Sequence, residues 1–237
     1  MNRMTKKVGM VAVSAVLGLM SIPSHAAIQT LVGTHVTYQF DDTLMGLFGL
    51  PTLSGDVLTF TPTNFLAQSS NGTGLVLTSA TINLKMFANS SASYFSGITV
   101  HEAGDYALIG SDAQVSVGGE IRAYSLANPL PTSTHQIDPI VATAPLTTTT
   151  TVLGYTTTDW FADAMVTVPL AWNDGGVNLT IENHLLAYTS AVGSLAFIEK
   201  KFVGTAIVIT PVPEAETYAM MLAGLGLIGF MVRRRAA

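Results

Sequence analysis

Cysteine is absent from the 237-residue chain. Structural disulfides, thiolate catalysis and cysteine-ligated zinc are therefore excluded. The folded protein has to be stabilised by packing, and a chain of this length can bury enough apolar surface for that purpose.

Charged residues are also scarce, at 11% of the chain, and most of the basic ones lie near the two ends. Residues 27–210, here called the body, contain four basic and thirteen acidic residues, which gives a net charge of −9. Binding to nucleic acid requires clustered lysine and arginine, which displace counterions from the phosphates. We therefore predict that nucleic acid is not a partner.

Catalytic and cofactor-binding signatures are missing as well. The sequence contains no Gly-x-Ser-x-Gly elbow, His-Glu-x-x-His helix, P-loop or dinucleotide fingerprint. Two oxygen-rich turns, Asp41-Asp42 and 173–176, do not match a dedicated calcium loop. We predict no enzyme activity, no catalytic residues, no cofactor and no metal site. The alternative is a hydrolase whose site is assembled only in the folded protein.

The N-terminus has the three parts of a secretory signal peptide. Three positive charges precede a 13-residue apolar segment, 8–20, which is too short for an ordinary spanning helix. Pro23 then breaks the helix, and Ser24 and Ala26 supply the small residues expected before a cleavage site. We predict cleavage of residues 1–26, so that the mature chain begins at Ala27 outside the cytoplasm. A retained N-terminal anchor is the alternative.

The C-terminus combines an acidic prolyl stretch, an apolar segment and three arginines. Residues 218–232 carry no charge, but these 15 residues are fewer than the roughly 20 that span a bilayer comfortably. The six larger aliphatic and aromatic residues of this segment contribute about −2 to −4 kcal/mol to insertion, while its glycines weaken the helix. We therefore predict a marginal membrane helix over about 217–232. We expect the basic end 233–235 to stay in the cytoplasm, so that the body lies on the opposite side of the membrane.

This order of parts resembles the PEP-CTERM sorting domain, a tail of exported proteins in Gram-negative bacteria. The signature stretch is Val212-Pro213-Glu214-Ala215, with Ala215 where the family has a second proline. The membrane helix would include Tyr218, Leu222, Gly224, Leu225, Leu227 and Phe230, and Arg233, Arg234 and Arg235 would form the basic stop. The resemblance implies the secretion translocon, a transient inner-membrane anchor and an exosortase as partners. The tail would be cut, and the body passed to the cell surface or the extracellular matrix. A plain stop-transfer anchor is the alternative.

The body shows the alternation of polar and apolar residues that is typical of half-buried β-strands. Segments 34–40 and 177–182 alternate most clearly, and similar runs occur at 56–61, 75–87, 97–101, 113–117, 120–126, 164–170 and 194–210. Asn71-Gly72, Gly118-Gly119 and the 173–176 stretch are turn signals between them. We predict an all-β body at 27–210, an immunoglobulin-like or jelly-roll-type β-sandwich, preceded by the signal peptide and followed by the tail at 211–237.

Two features of the body interrupt this pattern. Residues 128–158 contain four prolines and five consecutive threonines, and we predict a long surface loop within one domain. Trp160 and Trp172 flank a predicted strand, where they are either core residues or exposed platforms for stacking on sugar rings.

These observations predict an exported, non-enzymatic envelope protein that associates with extracellular polysaccharide or biofilm matrix. The alternative is a carbohydrate-binding module that an uncleaved C-terminal helix anchors at the membrane.

Overall fold

A computed structural model of the chain describes residues 27–90, 93–130, 134–149, 156–211 and 221–225. The predicted signal peptide, with Ser24 and Ala26 of its cleavage site, lies outside these residues. Ala27 is exposed and directly precedes the first strand.

Two antiparallel sheets make up the body, so the predicted all-β sandwich is confirmed. Sheet 1 has the order β1-β2-β6-β12-β8-β9. Its strands are β1 (Ile28–Val32), β2 (Val36–Asp41), β6 (Gly74–Ala88), β12 (Val177–Thr189), β8 (Gln114–Ser125) and β9 (Gln136–Pro139).

Sheet 2 has the order β10-β11-β7-β13-β4-β3, and β5 also pairs with β13. Its strands are β10 (Val141–Ala142), β11 (Thr158–Thr167), β7 (Ser93–Ile109), β13 (Leu195–Pro211), β4 (Val57–Phe60), β3 (Thr52–Ser54) and β5 (Leu66–Ser70). Short 3-10 helices occupy Asp42–Leu44, Gly46–Phe48 and Leu170–Trp172.

The hydrophobic core lies between the two sheets and is built by alternate residues of the long strands. On β12, for example, Leu179, Ile181 and Leu185 are fully buried, as the alternation predicts. Side chains of this size contribute about 1.5–3 kcal/mol each when they are removed from water. Packing of this kind supplies the stability that disulfides provide in many exported proteins.

Strand β13 is the central strand of sheet 2. One of its edges pairs with β7, and the other pairs first with β5 and then with β4. Its register with β7 shifts between Lys200 and Phe202, so Lys201 is an additional residue in β13. Such a bulge changes which residues point inward. Ala196, Ile198 and Lys200 are buried before it, and Val203 is buried after it.

Gly118 and Gly119 do not form the predicted turn. They lie within β8, where Gly118 pairs with His184 and Gly119 with Asn183 on β12. A Cβ atom on Gly119 would lie 1.9 Å from the carbonyl oxygen of Glu182. Gly119 is therefore needed for the close approach of β12. The predicted strands 113–117 and 120–126 belong to the single strand β8.

The Pro/Thr-rich segment 128–158 contains more regular structure than the sequence predicts. Strands β9 and β10 lie within it and extend one edge of each sheet. Thr148 also donates its backbone N–H to the Tyr106 hydroxyl at 3.2 Å. The described part of this segment is thus bound to both sheets.

Candidate functional site

The predicted sorting tail begins at Pro211, the last residue of β13, so no linker separates the two. Leu222, Gly224 and Leu225 lie in a helical turn over 221–225, and the two leucines are 64% and 59% exposed. The remaining tail residues named above lie outside the described residues, namely Val212, Pro213, Glu214, Ala215, Tyr218, Leu227, Phe230, Arg233, Arg234 and Arg235.

Across the described ranges 27–90, 93–130, 134–149, 156–211 and 221–225, no helix has the length and apolar character needed to cross a membrane. The helical turn over 221–225 is the described part of the segment for which the sequence predicts a marginal membrane helix.

Trp160 is a core residue and not an exposed stacking platform. Its side chain is 2% exposed, and its indole N–H donates to the Glu199 carbonyl oxygen at 3.1 Å. The indole crosses Gly104 on the neighbouring strand, where a Cβ atom would lie 2.8 Å from Nε1. A sugar cannot stack on a ring whose faces are covered by protein, so this part of the prediction is corrected.

Trp172 ends the short helix Leu170–Trp172 and is half-buried against the core. Its backbone N–H donates to the Pro169 carbonyl at 2.9 Å, which fixes the turn that leads into β12. A sugar-stacking role for Trp172 stays a prediction.

The two oxygen-rich turns use their side chains for hydrogen bonds within the body. Asp41 accepts from the backbone N–H of Thr43 at 3.0 Å, and Asn173 accepts from the backbone N–H of Phe95 at 3.0 Å. Within the described part of the chain, no three acidic or histidine side chains are grouped as a metal site would require. The sequence already favours ordinary turns at these positions.

A groove of about 490 Å³ opens on sheet 1, where β2 separates from β6. The two strands pair only from Val36–Ala88 to Gln39–Lys85, so the end of β2 leaves a gap beside β6. We call this the β2–β6 groove, and it is lined by Ile28, Gln39, Phe40, Asp41, Leu44, Thr81, Asn83, Lys85 and Asn178.

The lining of the β2–β6 groove includes the amides of Asn83 and Asn178. Thr180 donates its hydroxyl to Asn83 at 2.7 Å and accepts from the Asn178 amide at 3.2 Å, which orients both amides. The lining also includes the exposed apolar side chains of Ile28 and Leu44. Convergent polar groups beside an apolar surface are typical of small-ligand sites.

Lys85 supplies the positive charge of this groove. Arg122, Lys200 and Lys201 each form an ion pair with a carboxylate, whereas Lys85 forms none within the described residues. Sequence analysis missed the groove because its residues come from β1, β2, β6 and β12. The only sequence feature that pointed to the groove was Lys85, one of four basic residues in the body and distant from the other three.

A second polar cluster lies inside the core and was also missed. Lys200, Glu102 and Asn183 are each fully buried, and the Lys200 ammonium donates to both other side chains. All three occupy inward positions of strands whose neighbouring inward residues are apolar. The sequence feature that could have revealed this cluster is a charged or amide residue at a strand position where the alternation predicts an apolar one.

Comparison with known proteins identifies the tail. Residues 211–235 match the PEP-CTERM protein-sorting motif. No curated protein matches the chain. A solved structure from the infectious bursal disease virus Gt strain is 12% identical and aligns over 79% of this chain and 53% of its own, with a TM-score of 0.18. No conclusion about fold or function follows from a similarity at that level.

Proposed function

We propose that the β-sandwich of this chain is a non-enzymatic component of the extracellular matrix. The proposal starts from the PEP-CTERM sorting motif at 211–235. The motif is that of exported proteins sorted by exosortase toward the Gram-negative cell envelope. The finer elements of the proposal are a cleaved signal peptide, a transient inner-membrane anchor, and association of the immunoglobulin-like or jelly-roll-type body with extracellular polysaccharide or biofilm.

The sorting motif is the observation that carries the proposal. A cut between Val212 and Ala215 lies beyond Pro211, the last residue of β13, so it leaves every described strand of the sandwich in place. The described turn at 221–225 has exposed leucines, as expected for a segment whose partner is a membrane. The body is thus suited to release as a complete folded unit.

The β2–β6 groove supports the association with polysaccharide. Saccharides present many hydroxyl groups, which pair with amides, hydroxyls and charged side chains such as those of Asn83, Thr81 and Lys85. A groove of about 490 Å³ falls in the usual size range of ligand sites. The same groove favours the second candidate, a carbohydrate-binding module that keeps its C-terminal helix.

The mass and C-terminal peptide of the protein isolated from its native host test the sorting proposal. We expect a chain that starts at Ala27 and ends between Val212 and Ala215. This result would show that the tail is removed, and deletion of the host's exosortase should then restore the longer form. A chain that ends at Ala237 in the presence of exosortase would contradict the proposal and support the anchored module.

Binding to extracellular polysaccharide purified from the host tests the role of the groove. The double substitution Asn83→Ala and Lys85→Ala removes an amide and an unpaired charge, and we expect at least a tenfold loss of affinity, because a hydrogen bond to a charged group contributes about 1.5–3 kcal/mol. Lys201→Ala is the matched control, since it removes the same charge from an exposed position on sheet 2. Equal binding by all three proteins would exclude the groove as the polysaccharide site.

A further inference from the structure

The buried cluster brings an amine, an amide and a carboxylate together between the two sheets. Lys200 lies on β13 and Glu102 on β7 in sheet 2, whereas Asn183 lies on β12 in sheet 1. The Lys200 Nζ atom is 2.5 Å from Oδ1 of Asn183 and also donates to Oε2 of Glu102. Because Oδ1 is bonded directly to Cγ, the amine is held beside the carbon of the Asn183 amide.

Burial makes the neutral form of Lys200 easier to reach than that of an exposed lysine. Its side chain is fully buried, and the rings of Phe65 and Trp160, whose faces favour the ammonium, lie 5.2 and 5.8 Å from Nζ. Burial lowers the pKa of Lys200 to about 8, although the neighbouring Glu102 acts in the opposite direction. A desolvated lysine that can lose its proton is a nucleophile.

Glu102 has capacity for a second interaction. Its Oε2 atom accepts from Lys200, while Oε1 is buried and has no hydrogen-bond partner in the described structure. An unsatisfied buried carboxylate oxygen is costly in an ordinary structural ion pair. The cost is removed if Glu102 acquires a proton and donates it to a neighbouring oxygen or nitrogen.

We propose that Lys200 and Asn183 react to form an amide bond between their side chains, with Glu102 as the group that transfers protons. The product is an isopeptide cross-link between β12 and β13, and therefore between the two sheets. No cofactor or external reagent is needed, because all of the reacting groups belong to this chain.

The atoms and charges balance over three steps. The Lys200 ammonium first gives a proton to the Glu102 carboxylate, which leaves a neutral amine and a carboxylic acid. The lone pair of the amine nitrogen then forms a bond to Cγ of Asn183, and the carbonyl electron pair moves to Oδ1, which leaves a positive charge on the attacking nitrogen and a negative charge on Oδ1. When this electron pair re-forms the carbonyl and the Cγ–Nδ2 bond breaks, Glu102 protonates the leaving nitrogen and takes a proton from the attacking nitrogen. Ammonia leaves, and Glu102 ends as a neutral acid beside the new amide.

The product removes an arrangement that is unfavourable in the core. Before the reaction, a charged pair is buried between the sheets, and its removal from water opposes its mutual attraction. Afterwards the cluster is neutral, and protonated Glu102 can donate to the oxygen of the new amide. In a chain without cysteine, this bond provides the covalent connection that a disulfide would otherwise supply.

Intact mass under denaturing conditions, followed by tryptic peptide mapping of the full purified chain, tests the cross-link. We expect a mass lower than that of the unlinked chain by one ammonia. Trypsin should fail to cleave after Lys200, and the peptide 123–201 should yield no fragments from breaks between Asn183 and Lys200. A succinimide elsewhere would also lose ammonia but would leave cleavage after Lys200 intact. A folded wild-type chain with the unlinked mass would overturn the proposal.

Two variants test the chemistry separately from folding. Glu102→Gln keeps the shape of the side chain but cannot accept the proton, and we expect at least a tenfold smaller linked fraction. Asn183→Asp can still react by losing water, so its linked product must have the same mass as the linked wild-type chain.

Asn178→Asp is the matched control, because Asn178 is a buried asparagine on the same strand whose amide donates to Thr180. It should retain the ammonia loss from Asn183. Full linkage in Glu102→Gln would exclude Glu102 as the catalytic group.

Discussion

Replacing Gly104 with alanine is expected to destabilise the body strongly. An alanine Cβ atom at this position would lie 1.9 Å from the carbonyl oxygen of Glu199 and 2.8 Å from Nε1 of Trp160. Because Gly104 lies between β11 and β13, the methyl group must displace the backbone of β13 and break the hydrogen bond from Trp160. We expect the free energy of unfolding to fall by about 3 kcal/mol.

Thermal unfolding of the purified body would measure this effect, with an expected decrease in Tm of about 6–12 °C. Gly118→Ala is the matched control, because Gly118 also lies within a long strand and the three atoms nearest to its added Cβ belong to the ring of His184. A side chain can move aside more easily than a strand backbone, so the control should change Tm by only a few degrees. Equal shifts for both variants would contradict the role assigned to Gly104.

The substitution Leu225→Arg is expected to abolish membrane retention of the unprocessed chain. The change adds about 2.5–3.5 kcal/mol to the insertion free energy at the centre of the apolar segment, which is comparable to the whole favourable term of about −2 to −4 kcal/mol. Leu225 is 59% exposed in the described helical turn, so its replacement should leave the packing of the body unchanged. We expect the body to reach the periplasm as a soluble, unsorted protein.

Fractionation of cells that lack exosortase would measure this effect without interference from cleavage. Val192→Arg is the control, since it adds the same charge at a position that is 91% exposed in the loop before β13. We expect the control protein to remain in the membrane fraction. Unchanged retention of Leu225→Arg would show that the tail is not a marginal anchor.

The β-sandwich could be predicted because alternation is a local property of the sequence. Strand β12 shows it clearly, and its buried leucines and isoleucine lie where the pattern places them. Gly118 and Gly119 were misassigned because glycine has two uses that sequence alone does not separate, namely turns and close approach of another strand. In this protein the backbone of β12 lies too close to Gly119 for a side chain, so this glycine serves close approach and not a turn.

The sorting tail could also be predicted, because its parts are consecutive in the chain and their order is specific. The polar sites of the body could not, since their members are distant in sequence. Lys200 and Glu102 are separated by 98 residues, and β12 of the opposite sheet contributes Asn183. Trp160 illustrates the same limit, because its burial depends on Gly104 and Glu199 of two other strands.

The position of β13 has a consequence for the order of events during export. This strand is the last described strand of the body, yet it is the central strand of sheet 2 and holds β7, β5 and β4 together. Under the proposed export from the N-terminus, the earlier strands would emerge without the partner that completes their sheet. The core would then close only after β13 has emerged, and the adjoining tail would follow directly. Completion of the fold and arrival of the sorting signal would thus be consecutive events set by chain order.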